Sequence, residues 1–298
     1  MTLLHAHTDG HGILSFLENV FWHGFLDTIY IIPFLFLTYI IMELIEHKAS
    51  GKTKGFLEKS KFAGPLVGGA LGILPQCGFS AAAANFYTSR VVTLGTLVAI
   101  FLSTSDEMLP ILISGKMPFN KIVSILLYKA LVAIAIGFII DLSLKLMHRG
   151  KEKINIDAIC DEDGCNCENG IVRSALHHTL TIGAFILIIT IVINAVVYFV
   201  GEDSITKILY GKPIISHIIA AFIGLIPNCA VSVALTNFAL SGFITYGTML
   251  SGLFTGAGVG LLVLFKINKN VKENIIISAI IFFSGAIFGY IADVIPIF

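Results

Sequence analysis

Charged residues are scarce in this 298-residue sequence, at 13% of the chain, and the acidic and basic ones balance to a formal net charge of zero. A soluble domain usually carries about twice that share of charge. The low charge content therefore excludes an ordinary water-soluble domain, and the absence of net positive charge removes nucleic acid from the expected partners. Hydrophobic residues make up 56% of the chain. We expect the lipid bilayer to solvate most of its surface.

Three further absences narrow the class of protein. The five cysteines are odd in number and are split between apolar segments and one hydrophilic loop, which is not the pattern of a disulfide framework. No complete P-loop motif is present, so ATP hydrolysis is not expected to supply energy. The amino terminus has no basic start or small-residue cleavage site, so we expect the first apolar segment to be retained.

Six apolar runs are each close to the roughly 20 residues that a helix needs to cross the hydrocarbon core. Two further apolar stretches, at about 62–88 and 214–240, are long enough to cross but have Gly, Pro and polar residues at their centres. The sequence therefore predicts an all-α, polytopic integral membrane protein with two broken or re-entrant helical hairpins. The six continuous runs cover residues 25–44, 91–115, 121–147, 176–200, 243–267 and 274–297.

Residues 72–96 recur as residues 224–248, without gaps and at an offset of 152. Eleven of the 25 aligned positions are identical, and they include Pro, Cys, Asn, Ser and Gly rather than only the apolar residues that chance would match. The run Pro75–Cys77 aligns with Pro227–Cys229. The sequence therefore predicts two related membrane repeats.

Lys and Arg accumulate on the cytoplasmic side of membrane proteins. If the first span runs inward, fourteen of the 19 basic residues lie on the cytoplasmic side, four lie outside and Lys129 lies within a span. This distribution requires the 62–88 stretch to enter and leave from the cytoplasm, and the 214–240 stretch to enter and leave from outside. The repeats are therefore predicted to have inverted topology in the inner or plasma membrane, with both chain ends outside.

Four regions follow from these patterns. Residues 1–23 are predicted as an extracytoplasmic N-terminal segment and 24–147 as the first membrane repeat. Residues 148–175 form a cytoplasmic loop rich in Cys and acidic residues, and 176–298 form the second, inverted repeat. The sequence does not fix the oligomeric state, and a homodimer is left open.

The two interrupted stretches are the predicted substrate-binding site. Non-helical backbone at membrane depth is tolerated only where protein or a water-filled cavity satisfies its polar groups, and Pro75 and Pro227 break the helix and remove a donor. Matching interruptions in two inverted halves point to a transport site. The candidates are the polar and thiol side chains beside the two prolines: Gln76, Cys77, Ser80 and Asn85 in the first half, and Asn228, Cys229, Ser232 and Asn237 in the second.

The chemistry of these side chains leaves two kinds of ligand open. The thiols of Cys77 and Cys229, with amides and hydroxyls around them, could bind a soft or borderline metal ion. The amides could instead serve a hard ion or a neutral solute, with the two cysteines as packing residues.

Asp106 and Glu107 are the candidates for binding a coupling ion or a cation. Ionisable residues inside a span are expensive and commonly mark ion pathways, and the aligned residues of the second repeat are uncharged. Both carboxylates are also candidate metal ligands, together with the two membrane thiols, and Lys129 could pair with one of them. The alternative is that they lie at the end of the 91–115 span and contact water.

Two hydrophilic segments carry further candidate metal ligands. Cys160, Cys165 and Cys167 lie among Asp and Glu in the central loop, where reduced thiols could capture a thiophilic or divalent cation. A flexible acidic linker is the plainer interpretation of this loop. The amino-terminal tract has histidines at positions 5, 7 and 11, another possible metal-binding pattern.

Residues 33–47, the runs 74–80 and 226–229, and the Cys-rich central loop lie in both repeats and between them, so a likeness at these stretches extends over nearly the whole chain. In these stretches the sequence resembles the ten-transmembrane heavy-metal exporters of bacteria and archaea, which are described as arsenic efflux proteins or manganese transporters. The resemblance implies an inner-membrane efflux carrier with ten helices, when each interrupted stretch counts as two. It also makes Glu43, Glu46 and His47 part of the family signature, and it implies export of a metal or metalloid without choosing the ion.

These expectations favour a secondary-active transporter that exports a divalent or soft metal ion, such as manganese or a heavy metal, by alternating access. A proton or cation gradient would drive it, and no tightly bound cofactor is expected. An exporter of arsenite or of another small oxyanion or organic solute is one alternative, and an ion channel is another. We expect no enzymatic activity, because a nucleophilic thiol needs an adjacent base and neither Pro-(Gln/Asn)-Cys turn contains a histidine.

Overall fold

The structure is a computed structural model, and it describes residues 63–73, 77–105, 108–146, 171–200 and 213–295, with isolated positions between 22 and 40. Within these residues the chain forms helices joined by turns and contains no β-strand. The predicted all-α class is therefore confirmed. The amino-terminal histidine tract, the signature residues Glu43, Glu46 and His47, and residues 147–170 of the central loop lie outside the described residues.

Eleven helices make up the described part of the chain from residue 63 onward. The first half contains Gly64–Leu71 (α1), Cys77–Thr88 (α2), Leu94–Ser103 (α3), Met108–Ser114 (α4) and Phe119–Leu146 (α5). The long helix Ile171–Val200 (α6) follows. The second half contains Pro213–Gly224 (α7), Cys229–Leu240 (α8), Tyr246–Thr255 (α9), Val259–Ile267 (α10) and Val271–Val294 (α11).

Five described segments are long and apolar enough to cross a membrane, and their surface is that of a membrane protein. On α5, Leu131 and Ile139 are 65% and 62% exposed, whereas Lys129 of the same helix is fully buried. An apolar exterior around a polar interior suits lipid rather than water. The five segments are Leu94–Ser114, Phe119–Leu146, Ala175–Val192, Tyr246–Ile267 and Val271–Val294.

Two of these spans are not single helices, and here the sequence-based prediction of continuous helices over 91–115 and 243–267 is wrong. The first span is divided between α3 and α4, and the second between α9 and α10. In the second break Gly258 has φ +54° and ψ −141°, a conformation that is open to glycine and strained for other residues. The breaks are only three or four residues long, so the mean hydropathy of each span hardly changes. The hydropathy of the sequence therefore gives no sign of them.

Helix bounds repeat at the same offset of 152 residues as the sequence. α2 and α8 correspond end for end, and so do α3 and α9. The latter two also begin alike, because the Thr93 side chain accepts a hydrogen bond from the Thr96 amide and the Thr245 side chain accepts one from the Thr248 amide. These threonines are N-caps. The repeated residues thus produce repeated local structure.

An aspartate near the end of α5 and another near the end of α11 reinforce these caps. Asp141 of α5 accepts a hydrogen bond from the Gly95 amide at 2.8 Å, and Asp293 of α11 accepts one from the Gly247 amide at 2.8 Å. Each aspartate also accepts a hydrogen bond from the capping threonine hydroxyl. A carboxylate at a helix N-terminus is stabilised by free amides and by the helix dipole. The pairs α3–α5 and α9–α11 are thereby fixed at one end.

Each half contains a three-helix unit, and the short helices cross between the units. α1, α3 and α5 pack against one another, as do α7, α9 and α11. α2 packs against α10, and α8 packs against α4, which is the same contact made in the reciprocal direction. α3 and α9 also contact each other. The halves therefore interlock, and neither would cover its apolar faces alone.

Close backbone approach holds α3 on α5 and α9 on α11. A Cβ at Gly95 would collide with the carbonyl oxygen of Gly137, and a Cβ at Gly247 would lie 2.5 Å from that of Gly289. Small residues at such crossings let helices pack closely inside a bilayer, where apolar surface alone gives little drive for association.

We predict that Gly95→Ala and Gly247→Ala each destabilise the protein, because the added methyl group has no space between the two backbones. Overpacking of this kind costs about 1–3 kcal/mol. Gly183→Ala on α6 is the matched control, since its Cβ would make an ordinary 3.7 Å contact with Ile32. Thermal unfolding in detergent should show a lower Tm for the first two variants only. An unchanged Tm for Gly95→Ala and Gly247→Ala would contradict the packing described.

Candidate functional site

Four helix breaks lie inside the apolar bundle, between α1 and α2, α3 and α4, α7 and α8, and α9 and α10. The two breaks of the first half touch, because the Ser105 hydroxyl donates to the Ile73 carbonyl oxygen at 2.9 Å. In the second half Gly224, at the end of α7, lies directly against the side chain of Thr255, at the end of α9. The breaks therefore come as two contacting pairs, one in each half.

Lys129 joins the two pairs. Its ammonium donates to the carbonyl oxygen of Thr104, just after α3, and to the carbonyl oxygen of Leu253, in the last turn of α9, at 2.9 Å. The side chain is fully buried. A single cation thus bridges the broken span of one half to the broken span of the other. The sequence identifies Lys129 as an intramembrane basic residue but gives no sign of these backbone partners.

The first-half candidates lie on or just before α2. Ser80 is fully buried, and its backbone carbonyl lies 2.7 Å from the place that a Cβ would occupy at Gly260 of α10. Gln76 and the side chain of Cys77 lie outside the described residues. Gly260 therefore lets the second half approach the first turn of α2 directly.

The second-half candidates surround the break at residues 225–228. Asn228 is buried, with 8% of its surface exposed, and Cys229, which begins α8, is half-buried. Ser232, one turn further along α8, is buried as well. An amide, a thiol and a hydroxyl therefore lie along this break and the first turn of α8.

The two asparagines of the repeat have different environments. Asn85 is fully buried, and its Oδ1 accepts a hydrogen bond from the Tyr39 hydroxyl at 3.0 Å while its Nδ2 donates to the Ala81 carbonyl oxygen at 3.2 Å. The Tyr39 ring stacks on His178, with ring centroids 5.2 Å apart. Asn237, by contrast, is exposed. Asn85 ties α2 to the first apolar segment and to α6, and no described hydrogen bond joins it to Asn237.

The remaining predicted ligands lie outside the described residues. They are Asp106, Glu107, Cys160, Cys165 and Cys167. In the ranges that the structure describes, no three His, Cys, Asp or Glu side chains form a group that could hold a metal ion. The metal ligand set predicted from the sequence therefore stays a prediction.

His217 is a buried polar residue that the search for motifs missed. It lies on α7, with Nδ1 2.8 Å from the Ser251 hydroxyl oxygen and Nε2 3.2 Å from the Asp293 carboxylate. The order of groups resembles a hydrolase triad, but Ser251 is fully buried and packs directly against Gly289, which leaves a substrate no approach. The cluster instead links α7, α9 and α11. The sequence does contain a sign of this cluster: His217 is a polar residue within an apolar stretch, and the equivalent position of the first half is Pro65.

Contacts between the halves define two ends of the bundle. At the first, the Arg90 end, Arg90 forms an ion pair of 3.3 Å with Glu273 in the first turn of α11, and the Tyr87 hydroxyl donates to the same carboxylate. At the second, the Gly115 end, Gly115 packs against Leu240, the last residue of α8. α2 therefore ends beside the start of α11, and α8 ends beside the end of α4.

The turn at the Arg90 end is held in a strained conformation. Arg90 has φ +60°, and the equivalent position of the second half is Gly242 at φ +74°. A left-handed conformation costs a residue with a side chain roughly 1–2 kcal/mol. The ion pair with Glu273 and the stacking of the guanidinium on the Tyr87 ring, 5.4 Å from its centroid, offset this cost. Gly242 has no side chain, so the equivalent turn of the second half cannot form such an ion pair.

Comparisons of the chain with protein-family models, with curated proteins and with solved structures find no match. The resemblance to the heavy-metal exporter family therefore stays a prediction from the motifs of the sequence.

We predict that Asn85→Ala lowers the free energy of unfolding by about 1–3 kcal/mol, because the buried Tyr39 hydroxyl loses its acceptor. Asn237→Ala, at the equivalent position of the second half, is the matched control, and its exposed side chain should contribute less than about 0.5 kcal/mol. Adding Tyr39→Phe to Asn85→Ala should recover part of the lost stability, because it removes the hydroxyl that had lost Asn85 as its acceptor. Equal losses of Tm in the two asparagine variants would contradict the difference in environment.

Proposed function

We propose that the chain is a secondary-active transporter that exports a divalent or soft metal ion by alternating access. The observation that carries the proposal is the set of four helix breaks inside the apolar bundle, which contact in two pairs that Lys129 bridges. Lipid cannot satisfy the backbone groups that a break exposes, and a bundle that only anchored in the membrane would gain nothing from them. Secondary transporters hold ions and substrates at such breaks, in paired repeats.

The two halves have opposite orientations in this proposal, and the path of α5 supports that arrangement. The helix begins at Phe119, four residues after Gly115, and so starts at the Gly115 end. Its Asp141 caps α3 at Gly95, five residues after Arg90, and so lies near the Arg90 end. The 22 residues between Phe119 and Asp141 span about 33 Å, close to the thickness of a hydrocarbon core.

The path of α11 is the reverse. The helix starts at the Arg90 end, where Glu273 meets Arg90. Its Asp293 caps α9 at Gly247, and the start of α9 belongs to the Gly115 end, because Lys121 of α5 lies over the Tyr246 ring at 5.9 Å. Two equivalent helices that run in opposite directions between the same two ends support an inverted repeat.

The basic residues support a cytoplasmic location for the Arg90 end. Arg90, Lys269 and Lys272 cluster in the turns at that end, where the charge rule puts the cytoplasm, while Lys116 and Lys121 belong to the Gly115 end. In the proposal the Gly115 end and both chain ends therefore face outward.

The donor groups at the breaks support the substrate class. Asn228, Cys229 and Ser232 bring an amide, a thiol and a hydroxyl to one break, and the repeat supplies Gln76 and Cys77 to the other. Paired thiols suit a soft or borderline metal ion, and the amide and hydroxyl oxygens beside them also suit a divalent ion such as manganese. Arsenite, or another small oxyanion or organic solute held by the amides and hydroxyls, is the alternative substrate.

The binding of the coupling ion and the capture of the metal ion are assigned to residues outside the described ranges. Asp106 and Glu107, which follow α3 in the sequence, bind the coupling ion in this proposal, and the Cys-rich loop gathers metal at the cytoplasmic side. The family resemblance supports transport from the cytoplasm outward.

We predict that inverted membrane vesicles with an acidic lumen accumulate radiolabelled manganese when they contain the chain. A Cys77→Ala/Cys229→Ala variant should lower the initial rate by about tenfold or more, a loss seen even when groups that only support a metal's ligands are changed. Gly183→Ala serves as the control that should transport normally. The purified protein should also gain Tm with manganese, and the double cysteine variant should not.

The alternatives give different results in the same vesicles. Accumulation of arsenite instead of manganese would select the other substrate class. A flux that ignores the imposed gradient and far exceeds the turnover of a carrier would indicate a channel. The absence of both metal-dependent flux and metal-dependent stabilisation would rule out metal export.

We predict opposite sidedness for equivalent loops of the two halves. In a variant without native cysteines, Lys116→Cys should react with an impermeant maleimide in intact cells, and Lys269→Cys only in inverted vesicles. Restoring Cys160, Cys165 and Cys167 should give a loop that reacts from the cytoplasmic side. Labelling of Lys116→Cys and Lys269→Cys from one and the same side would be incompatible with the inverted arrangement.

A further inference from the structure

Lys129 places an ammonium in the buried interior of the bundle. It lies ten residues into the 28-residue helix α5, and its side chain is fully buried. Burying a charge is strongly unfavourable unless the charge is paired and hydrogen-bonded. The ammonium therefore needs dedicated acceptors, and the fold supplies them from both halves.

Two helix ends provide the acceptors. The Thr104 carbonyl follows the last residue of α3. Leu253 lies in the last turn of α9, where the Ala257 amide, which would donate to Leu253 in a continuing helix, donates to Thr255 at 2.8 Å instead. Carbonyl groups at a helix C-terminus carry the negative end of the helix dipole. Two such ends, from different halves, converge on one cation.

The immediate surroundings also suit a monovalent cation. The Phe254 ring centroid lies 5.7 Å from Nζ, within the range of a cation–π contact. Thr104 and Leu253 are themselves only 3% and 4% exposed, so water does not compete for their carbonyl groups. At the equivalent position of the second half the chain has Ile281, fully buried, so the repeat supplies only one ammonium.

Carbonyl groups at helix breaks coordinate inorganic cations such as Na⁺ in other broken-helix transporters. We infer that the carbonyl groups of Thr104 and Leu253 form a monovalent-cation site between the two halves, and that the ammonium of Lys129 is its permanently tethered occupant. The side chain takes the place that a diffusible ion would otherwise fill.

A tethered cation changes what the protein requires from solution. Because the ammonium cannot diffuse away, the contact between α3 and α9 needs no Na⁺ or K⁺. In the alternating-access cycle the bond to Leu253, which crosses between the halves, lengthens or breaks as they move, while the bond to Thr104 stays within the half that carries Lys129. This last consequence depends on the proposed transport function, whereas the cation site itself does not.

Lys129→Ala tests the site, because it removes the ammonium and keeps both carbonyl groups. We expect a Tm below that of the wild type and a rise of about 3 °C when methylammonium chloride replaces an equal concentration of tetramethylammonium chloride. The two ions have the same charge, but only methylammonium has N–H donors. The wild type and Lys145→Ala, which removes an exposed lysine from the same helix, should not respond.

Lys129→Ile is the second variant, since it installs the residue of the equivalent position and fills the space. It should not respond to methylammonium, and an equal response from Lys129→Ile would overturn the site. If Lys129→Ala does not accumulate, its yield from cells grown with and without methylammonium becomes the measurement. A yield and a Tm that both ignore methylammonium would overturn the proposal as well.

Transport by the same variants separates this inference from the proposed function. Manganese counterflow is the suitable assay, because methylamine crosses membranes and would collapse an imposed proton gradient. The wild-type Tm should be unchanged when N-methylglucamine replaces Na⁺ and K⁺, whereas counterflow by Lys129→Ala should be about tenfold below that of the wild type and should recover with methylammonium. A wild-type Tm that falls when Na⁺ and K⁺ are removed would contradict the tethered occupant. A methylammonium response in Tm, with no counterflow by any form, would support the cation site while the transport function fails.

Discussion

Every broken helix in this bundle must find partners for its backbone inside the protein, since lipid offers none. The Ile73 carbonyl accepts from Ser105, and the carbonyl groups of Thr104 and Leu253 accept from Lys129. These groups come from neighbouring helices rather than from the broken helix itself. Each of these interruptions therefore constrains which helices pack beside it.

Whether a helix break could be predicted from the sequence depended on the residues that form it. Pro75 and Pro227 lack a backbone donor, so the sequence alone placed two interruptions, and the 152-residue repeat showed that they are equivalent. The second pair of breaks escaped because Thr104 and Ser105 are small and uncharged, and because a glycine such as Gly258 occurs in continuous membrane helices as well. Only the three-dimensional arrangement shows that Ser105 and Lys129 satisfy backbone groups that the breaks release.

The candidate site was less accessible to sequence reasoning, because equivalent residues do not have equivalent surroundings. Asn85 and Asn237 align, yet one is buried against Tyr39 and the other is exposed. The two repeats share the residues that fix the backbone, such as the threonines that cap helices and the glycines at helix crossings. They differ in side chains that face the other half, and Lys129 and Arg90 are examples. Identical residues in the two repeats therefore locate the helix breaks well, but they do not predict the side-chain contacts at those breaks.

The division between conserved backbone and varied contacts also locates where movement can occur. α3 cannot shift on α5 without disturbing both the Asp141 cap and the close approach of Gly95 to Gly137, and α9 is held on α11 in the same way. Each three-helix unit is therefore held together internally, and the seam between the units lies where α2 meets α10, α8 meets α4 and α3 meets α9. The Lys129 bridge lies on that seam, as does the contact between Ser80 and Gly260. In the proposed transport function a passage opens along the same seam, and the residues that differ between the halves there are the candidates for deciding which end opens and what passes.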